Sequence, residues 1–296
     1  MLAYKQFKIL ELLTENDKPL PQRKMATLLD LSAGTVNRCL AELSEQGLVL
    51  NGAITVKGLE ALEPYRVKRA VFIAAGFGSR MVPITLNTPK PLVRVKGRMI
   101  IDTLLSAVVA AGIEEIYIVR GYLGEQFDQL LSKYPTIKFI ENPLYNQANN
   151  ILSVACAGNT IQNAYVFEAD LVLSNPKLVT KYQYSSNYLA IPVEKTDDWC
   201  FDVDGNSIIK SVAVGGVNCW QMMGISYWTE VDGGKLVNHV KEVLNAPGGK
   251  ERYWDLVPLQ YYINEYKVSI RPCTFDDIIE IDTFNELKQI DPSYNA

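Results

Sequence analysis

The sequence predicts an α/β protein with a mostly parallel sheet, preceded by a small, mostly helical domain. From residue 66 onward, short apolar segments alternate with longer amphipathic segments, which is typical of a parallel sheet covered by helices on both faces. The first 65 residues do not show this alternation. A chain of 296 residues, of which 48% are hydrophobic, can bury the core of one large and one small domain. We therefore predict two domains, residues 1–65 and 66–296.

The small domain is predicted to contain three helices and a β-hairpin. Three segments carry apolar residues at helical spacing: residues 3–16, 21–30 and 31–47. Pro21 suits a first helical turn, Ser32 an N-cap and Gly47 a C-terminal cap. An Asn-Gly turn between two short apolar runs then predicts a hairpin. Together they indicate a winged helix-turn-helix, and the run "MATLLDLSAGTVNRCLAEL" resembles that of MarR-like bacterial regulators.

DNA binding by this small domain is possible but not favoured. The third helix could present polar side chains to bases and phosphates: Ser32, Thr35, Asn37 and Arg38. However, residues 1–66 contain eight Lys and Arg against eight Asp and Glu, so their net charge is zero. A dedicated DNA reader usually carries a basic surplus. Dimerisation, or contact with the large domain, is the favoured alternative.

The large domain is predicted to alternate strands and helices from its first residues. Predicted strands cover residues 69–75, 113–122, 137–143 and 164–173. Predicted helices cover residues 99–112, 123–134 and 148–158. Ligands of such folds bind beyond the carboxyl ends of the strands. A glycine loop and the triplet "EAD" both fall at such ends, so we expect the functional site there.

The glycine loop has the residues needed to bind a nucleoside triphosphate. Gly76-x-Gly78 lacks the third glycine of the dinucleotide fingerprint, and the P-loop pattern is absent from the sequence. Its glycines allow backbone N–H groups to approach phosphates, and Arg80 can hold phosphate oxygens with its planar fork. Lys90, between two prolines, can place a positive charge on the α-phosphate. This set suits nucleotidyl transfer, in which charge grows on phosphorus and on departing pyrophosphate.

The loop also carries a family resemblance. The stretch "AAGFGSRMVPITLNTPKPLVRVKG" resembles the signature of the sugar-phosphate nucleotidyltransferases. Further segments, "IVRGYLGEQFDQL", "NPLYNQANNILS", "VFEADLVL", "RYWD" and "IIEIDTFNEL", are similar to the bacterial choline-phosphate cytidylyltransferases over about residues 66–290. The resemblance implies a Rossmann-like nucleotidyltransferase fold. It also implies a Mg²⁺ cofactor and an enzyme that converts CTP and phosphocholine to CDP-choline and pyrophosphate.

The resemblance also implies roles for individual residues. The catalytic residues would be Lys90 and Arg80. The nucleotide would be bound by Ala75, Gly76, Gly78, Ser79, Arg80, Gly121, Tyr122, Gln126, Asn149, Asn150 and Ser153. The acceptor would be bound by Trp199, Tyr253, Trp254, Asp255 and Glu280. Asp170 and Asp282 would ligate the metal. Glu168 stands where a second metal-side aspartate is usual, which leaves one or two metals open.

The acceptor and the activity each have an open alternative. A quaternary ammonium is bound by aromatic faces and a nearby carboxylate, so the tryptophans and tyrosines from residue 184 onward favour phosphocholine. Trp228, in contrast, is predicted to lie in the hydrophobic core. Phosphoethanolamine and 2-aminoethylphosphonate have primary amines, which prefer carboxylates and carbonyls, and both stay alternatives. The second alternative is a regulator that senses a nucleotide or metabolite. A protein that only senses its ligand could lose its catalytic residues, yet Lys90, Asp170 and Asp282 are all present.

Composition excludes several other classes of function. A net charge of −4 argues against nucleic acid or acidic membrane as the main partner. The single histidine, His239, reads as a polar position on an amphipathic helix, so catalysis should not rest on histidine. The five cysteines are scattered, and neither a signal peptide nor a membrane-spanning segment is apparent. We therefore expect a cytoplasmic protein without membrane contact, and a homodimer is a candidate assembly.

Overall fold

The computed structural model describes residues 1–16 and 19–295. The chain divides into two compact units. The first unit consists of residues 1–66 together with residues 182–184, and the second unit contains the rest of the chain.

The first unit is a winged helix-turn-helix. Its elements in chain order are α1 (Tyr4–Thr14), α2 (Gln22–Leu29), α3 (Ala33–Glu45), β1 (Val49–Leu50), β2 (Ala53–Ile54) and α4 (Val56–Leu62). Ser32 caps α3 as predicted, because its side chain accepts a hydrogen bond from the Thr35 N–H. Asn51 and Gly52 have φ angles of 51° and 79°, which is the left-handed geometry of a tight hairpin turn.

A distant part of the sequence completes the core of the first unit. The Tyr184 ring stacks on the Tyr65 ring at 5.4 Å and lies 5.4 Å from the Phe7 ring. The Tyr184 hydroxyl donates to the Leu2 carbonyl at 3.1 Å, and Tyr182 is buried in the same apolar cluster. Residues 1–65 alone therefore lack part of the core of this unit.

Tyr184→Ala should destabilise the first unit. Removing a ring that contacts the rings of Tyr4, Phe7 and Tyr65 should cost about 2 kcal/mol, because both the buried area and the ring contacts are lost. We expect faster hydrogen exchange of the α1 amides, measured by mass spectrometry on the full chain. Tyr184→Phe keeps the ring and loses only one hydrogen bond, so its exchange should stay near that of the wild-type protein. Equal protection of α1 in Tyr184→Ala would contradict this account.

The second unit is built on a mixed, mainly parallel sheet. Its strands are β3 (Arg69–Ala74), β4 (Arg94–Val95), β5 (Arg98–Met99), β6 (Glu115–Arg120), β7 (Ile137–Glu141), β8 (Ala164–Glu168), β9 (Leu171–Leu173), β10 (Asn187–Val203), β11 (Ile209–Trp228), β12 (Ser269–Pro272) and β13 (Ile278–Glu280). Its α-helices are α5 (Ile100–Ala110), α6 (Ile151–Ala157), α7 (Glu230–Asn245) and α8 (Phe284–Ile290). The seven-stranded sheet has the order β12-β10-β11-β8-β3-β6-β7.

The parallel part of this sheet fixes the position of the functional site. Strands β8, β3, β6 and β7 are mutually parallel, and β12 is parallel to β10, whereas β11 is antiparallel to both of its neighbours. The carboxyl ends of β3 and β8 therefore lie side by side. Apolar clusters cover both faces of the sheet, as expected for buried parallel strands.

Two predicted elements differ from those in the structure. The predicted strand 164–173 is two strands, because the chain leaves the main sheet after β8 and β9 pairs with β13 instead. The predicted helix 123–134 is a 3₁₀-helix, Gly124–Ser132. In that segment the Gly124 carbonyl accepts from Arg120 Nη1 at 2.9 Å, which competes with the bond that an α-helix would require.

Asp102 links α5 to the segment after the 3₁₀-helix. Its carboxylate is buried and accepts from Arg98 Nε at 2.8 Å, Lys133 Nζ at 2.7 Å and the Tyr134 hydroxyl at 2.5 Å. Burial alone would raise the pKa of Asp102, but the hydrogen bonds from these three donors lower that pKa to about 2.

Asp102→Asn should therefore reduce stability in a pH-dependent way. The pKa of Asp102 is lower in the folded than in the unfolded protein, so its carboxylate stabilises the fold fully at pH values above the unfolded-state pKa. This stabilisation is lost as the pH falls through the folded-state pKa. The free energy of unfolding should drop by about 2 kcal/mol at pH 7. The difference from wild type should shrink to roughly half by pH 3. Denaturant titrations at both pH values check this, with the exposed Asp128→Asn as control; a pH-independent difference would contradict it.

Candidate active site

A cavity of about 650 Å³ opens at the carboxyl ends of β3 and β8. A smaller cavity of about 260 Å³ adjoins it. Both cavities are lined by Gly76, Ser79, Arg80, Ala169, Asp170 and Asp282. The two spaces thus meet where the glycine loop faces the "EAD" turn, which is the strand-end position expected for a ligand site in such sheets.

The glycine loop folds closely over Lys90. Gly78 has a φ angle of 63°, and a Cβ at this position would lie 2.9 Å from the Lys90 Cβ. Only glycine accommodates both the left-handed backbone and this approach without displacement of its neighbours. The Thr85 hydroxyl donates to the Gly78 carbonyl at 2.8 Å and holds the loop in this conformation.

Lys90 is the centre of a buried ion network. Its Nζ donates to Asp170 Oδ2 at 2.8 Å and to Asp282 Oδ1 at 2.9 Å, and Arg80 Nη2 lies 2.8 Å from the same Asp282 oxygen. Burial would lower the pKa of Lys90, but the charges and hydrogen bonds of the two aspartates outweigh it and raise that pKa. Burial would likewise raise the pKa of Asp282, yet Lys90 and Arg80 lower it. The lysine is therefore a permanent cation that points into the site.

Three carboxylates beside Lys90 form a candidate metal centre. Oxygens of Glu168, Asp170 and Glu280 lie within 4.8 Å of one another. Asp170 Oδ1 is buried and has no hydrogen-bond partner among the described residues. Burial and neighbouring carboxylates raise the pKa of Glu168 and of Glu280, so the cluster resists holding several negative charges without a cation. A buried, unpartnered carboxylate oxygen in an all-oxygen set fits a hard divalent cation such as Mg²⁺.

This centre differs from the predicted pair of metal ligands. Asp170 belongs to it, but Asp282 is bound to Lys90 and Arg80, and Glu168 and Glu280 complete the group of three instead. Glu280 was predicted to bind the acceptor. It lies on β13 opposite Leu171, so the β9–β13 pairing carries it to the residue next to Asp170.

The predicted nucleotide-binding residues fall into two groups. The first group lines the large cavity: Ala75, Gly76, Ser79, Arg80, Asn149, Asn150 and Ser153. Gly78 lines the smaller cavity together with Lys90. The second group does not line either cavity: Gly121, Tyr122 and Gln126.

The second group supports the loop that precedes Lys90. The Tyr122 hydroxyl donates to the Thr85 carbonyl at 2.9 Å, and Gln126 Nε2 donates to the Asn87 carbonyl at 2.9 Å. A Cβ at Gly121 would lie 2.7 Å from the Tyr145 ring, so this glycine allows Tyr145 to lie close and line the cavity. The family resemblance implied that these residues bind the nucleotide, whereas in the structure Tyr122 and Gln126 contact the loop and Gly121 contacts Tyr145.

Aromatic and acidic side chains also line the large cavity. Trp199, Tyr253 and Asp255 line it, and the Trp199 and Tyr253 rings meet at 5.6 Å in an edge-on arrangement. Burial raises the pKa of Asp255 to about 6, although its hydrogen bond from the Tyr188 hydroxyl at 2.8 Å opposes the shift. The acidic groups here are therefore well enclosed.

Trp254 is a correction to the predicted acceptor site. It is 1% exposed and packs against the Tyr188 and Trp228 rings at 6.3 and 6.1 Å. Its ring belongs to the apolar cluster on one face of the sheet and does not line the cavity. Trp228 is likewise core, as predicted.

Sequence reasoning missed several cavity residues. They are Asn142, Tyr145, Asp198, Met222 and Gly224. Asn142 directly follows β7 and donates from Nδ2 to Ser153 Oγ at 3.0 Å; a polar residue after a parallel strand is a signal that could have found it. A Cβ at Gly224 would lie 2.6 Å from Glu168 Oε2, a contact that no local pattern indicates.

Known protein families match the sequences of both units. Residues 69–190 match the family described as nucleotidyl transferase, and residues 2–49 match the family described as winged helix-turn-helix DNA-binding. Among the described residues, no helix is long and apolar enough to cross a membrane.

Individual relatives indicate which kind of nucleotidyltransferase the chain is. The chain is 36% identical to the 2-aminoethylphosphonate cytidylyltransferase of Lancefieldella rimae, over 76% of this chain and 92% of that protein. It is 31% identical to the choline-phosphate cytidylyltransferase of Haemophilus influenzae, over 75% of this chain and 95% of that protein. The solved structure of the CTP:phosphocholine cytidylyltransferase of Streptococcus pneumoniae superposes with a TM-score of 0.71 at 28% identity, over 77% of this chain and 99% of that one. Since these similarities span nearly the full length of each relative, the chain belongs to the nucleotidyltransferase family and is a cytidylyltransferase.

Proposed function

We propose that the enzyme transfers the cytidylyl group of CTP to a small acceptor that carries a phosphorus oxyanion at one end and a cationic amine at the other. The favoured acceptor is 2-aminoethylphosphonate, with pyrophosphate as the second product. The observation that carries this proposal is Lys90, held by Asp170 and Asp282 beneath the glycine loop. That arrangement places one fixed cation next to the acidic oxygens that suit a metal–triphosphate complex.

In this mechanism an oxygen of the acceptor attacks the α-phosphorus of CTP. The bond between the α-phosphorus and the bridging oxygen breaks, and pyrophosphate leaves with that oxygen. The acceptor oxyanion is already a nucleophile at neutral pH, so no side chain has to remove a proton. Lys90 would stabilise the charge that grows on the α-phosphate oxygens, and Arg80 would hold the departing phosphates.

Asp170, with Glu168 and Glu280, would hold Mg²⁺, which supplies positive charge to the phosphate oxygens when bound. Asp282 would keep Lys90 and Arg80 together until phosphate oxygens compete for them. Both cations lie within 3 Å of the same Asp282 oxygen, so one exchange of partners would deliver both to the nucleotide.

The acidic side chains of the large cavity favour a primary amine. Asp198 and Asp255 line the cavity together with Trp199 and Tyr253, whereas burial of Trp254 removes one of the aromatic faces expected for a choline cage. A primary ammonium has three N–H donors that carboxylates can accept, and a quaternary ammonium has none. The 36% identity to a 2-aminoethylphosphonate cytidylyltransferase supports the same acceptor.

Phosphocholine is the second candidate. The Trp199 and Tyr253 rings line the same cavity and could contact a quaternary ammonium through their faces. Similarity to two choline-phosphate cytidylyltransferases, at 31% and 27% identity, supports this alternative.

Pyrophosphate release tests the proposal directly. The purified chain should be assayed with Mg²⁺ and each of the four nucleoside triphosphates against 2-aminoethylphosphonate, phosphoethanolamine and phosphocholine. We expect the highest kcat/KM with CTP and 2-aminoethylphosphonate. Absence of release with every pair would contradict the enzymatic function and favour a sensor of nucleotides or metabolites.

Two variants, Asp255→Asn and Trp199→Leu, separate the acceptors. For a primary amine, Asp255→Asn should raise the KM of the acceptor more than Trp199→Leu does, because a charge-assisted hydrogen bond is lost. For a quaternary ammonium, Trp199→Leu should have the larger effect and Asp255→Asn the smaller. The KM of CTP should stay nearly constant in both variants.

For the first unit we propose that DNA is not the main ligand. On α3, Arg38 is exposed but lies 3.9 Å from Glu42, and the charges of residues 1–66 balance. The match to a DNA-binding family favours the alternative, in which this unit binds DNA. An electrophoretic shift assay with the protein's own promoter at two salt concentrations decides between them: we expect no shift at physiological salt, and a sequence-specific shift would overturn this proposal.

A further inference from the structure

Two thiols meet on the long β10–β11 hairpin. A Cβ at Gly216 would lie 2.7 Å from Cys200 Sγ and 2.9 Å from Cys219 Sγ, so both sulfurs border the same point. In the hairpin, Cys200 pairs with Gln221, which places Cys219 diagonally opposite it on the same face. The glycine provides the space in which the two sulfurs face each other.

The two cysteines differ in exposure, and burial affects the thiol of Cys200. Cys200 is buried, and Cys219 is half-buried. Burial and a hydrogen bond with Cys219 raise the pKa of the Cys200 thiol to about 11. Cys200 therefore stays protonated and can donate its S–H to the Cys219 sulfur, which leaves Cys219 as the more accessible nucleophile.

We propose that Cys200 and Cys219 form a reversible dithiol–disulfide site that reacts with peroxides. The Cys219 thiolate attacks one oxygen of hydrogen peroxide, the O–O bond breaks, and a sulfenic acid forms while the other oxygen leaves and is protonated to water. The Cys200 sulfur then attacks the sulfenic sulfur, the S–O bond breaks, and the hydroxide leaves as water with the Cys200 proton. The peroxide gains two electrons, and the two thiols lose them in forming one disulfide.

The site lies next to residues of the cavity. Cys200 directly follows Asp198 and Trp199, and Cys219 stands three residues before Met222; these three neighbours line the cavity. Closing the bond draws the two sulfurs to about 2.05 Å and links the two strands of the hairpin covalently beside these cavity residues. We expect oxidation to displace Trp199 and weaken binding of the acceptor. This consequence rests on the proposed function, whereas the thiol chemistry does not.

Peptide mapping of the full chain tests the thiol chemistry. After treatment with hydrogen peroxide, we expect a disulfide-linked peptide that joins Cys200 to Cys219 and disappears with dithiothreitol. The other cysteines, Cys39, Cys156 and Cys273, should remain open to alkylation after denaturation. Sulfinic acid at either cysteine without a linked peptide would overturn the proposal.

Variants and kinetics complete the test. Cys219→Ser and Cys200→Ser should each abolish the linked peptide, and the control Cys156→Ser should retain it. Oxidation of the wild-type protein should raise the KM of the acceptor at least about fivefold, reversibly, with the Cys219→Ser protein insensitive. A linked peptide with unchanged KM would overturn the effect on acceptor binding. If the reduced protein turns over no acceptor, the proposed function fails, and the linked peptide still decides the thiol site.

Discussion

Lys90→Ala should lower kcat/KM for cytidylyl transfer by roughly 10³-fold, because catalysis of phosphoryl-type transfer rests mostly on fixed positive charge. Lys90 is 8% exposed, and two carboxylates raise its pKa, so it carries its charge at every pH at which the enzyme works. Pyrophosphate release under single-turnover conditions measures the effect on chemistry rather than on product release.

Two further variants control for this prediction. Lys210→Ala removes the same side chain at an exposed position near Asp204, and its activity should match that of wild type. Lys90→Arg keeps the charge but changes the geometry of the donors, so it should recover only part of the lost rate. Unchanged folding of Lys90→Ala should be checked by circular dichroism. Turnover within tenfold of wild type in a folded Lys90→Ala protein would remove this lysine from the mechanism.

Asp170→Asn should lower kcat/KM by a similar factor, because it should weaken binding of the metal ion. Asp170 Oδ1 is buried without a partner among the described residues, and its other oxygen accepts from Lys90. The amide removes one negative charge from the group formed with Glu168 and Glu280, so the affinity for a divalent cation should fall at least about tenfold.

Direct binding of Mn²⁺, followed by electron paramagnetic resonance, measures this loss independently of turnover. Asp204→Asn changes a half-buried carboxylate that lines neither cavity and should leave both Mn²⁺ affinity and turnover unchanged. Wild-type Mn²⁺ affinity in Asp170→Asn would show that the cation binds elsewhere.

The parts of the site that lie on one short stretch of chain could be predicted from the sequence. Gly76 and Lys90 are fourteen positions apart, and both Gly78 and the prolines beside Lys90 are recognisable turn residues in the sequence. The same holds for the winged helix, where the Ser32 cap and the Asn-Gly turn are local signals.

Long-range pairings could not be predicted in the same way. The β9–β13 pairing brings Glu280 beside Asp170, and nothing local indicates that β9 leaves the main sheet. Residues 182–184 complete the winged-helix core from the middle of the other unit's sequence.

The directions of individual side chains could also not be predicted from the sequence. Tyr253, Trp254 and Asp255 are consecutive, yet the first and third line the cavity and the second is core. These residues precede a π-helical turn, Val257–Tyr261, in an irregular segment where no fixed period assigns faces. The resemblance identified the segment correctly but not which of its rings faces the ligand.

A solved structure of the enzyme with CTP and Mn²⁺ would test the roles of Asp170 and Lys90 directly. We expect Asp170 to ligate the ion and Lys90 Nζ to lie within hydrogen-bond distance of an α-phosphate oxygen, having exchanged at least one of its two aspartates. A triphosphate bound away from the glycine loop, with Lys90 still donating to both Asp170 and Asp282, would contradict this expectation.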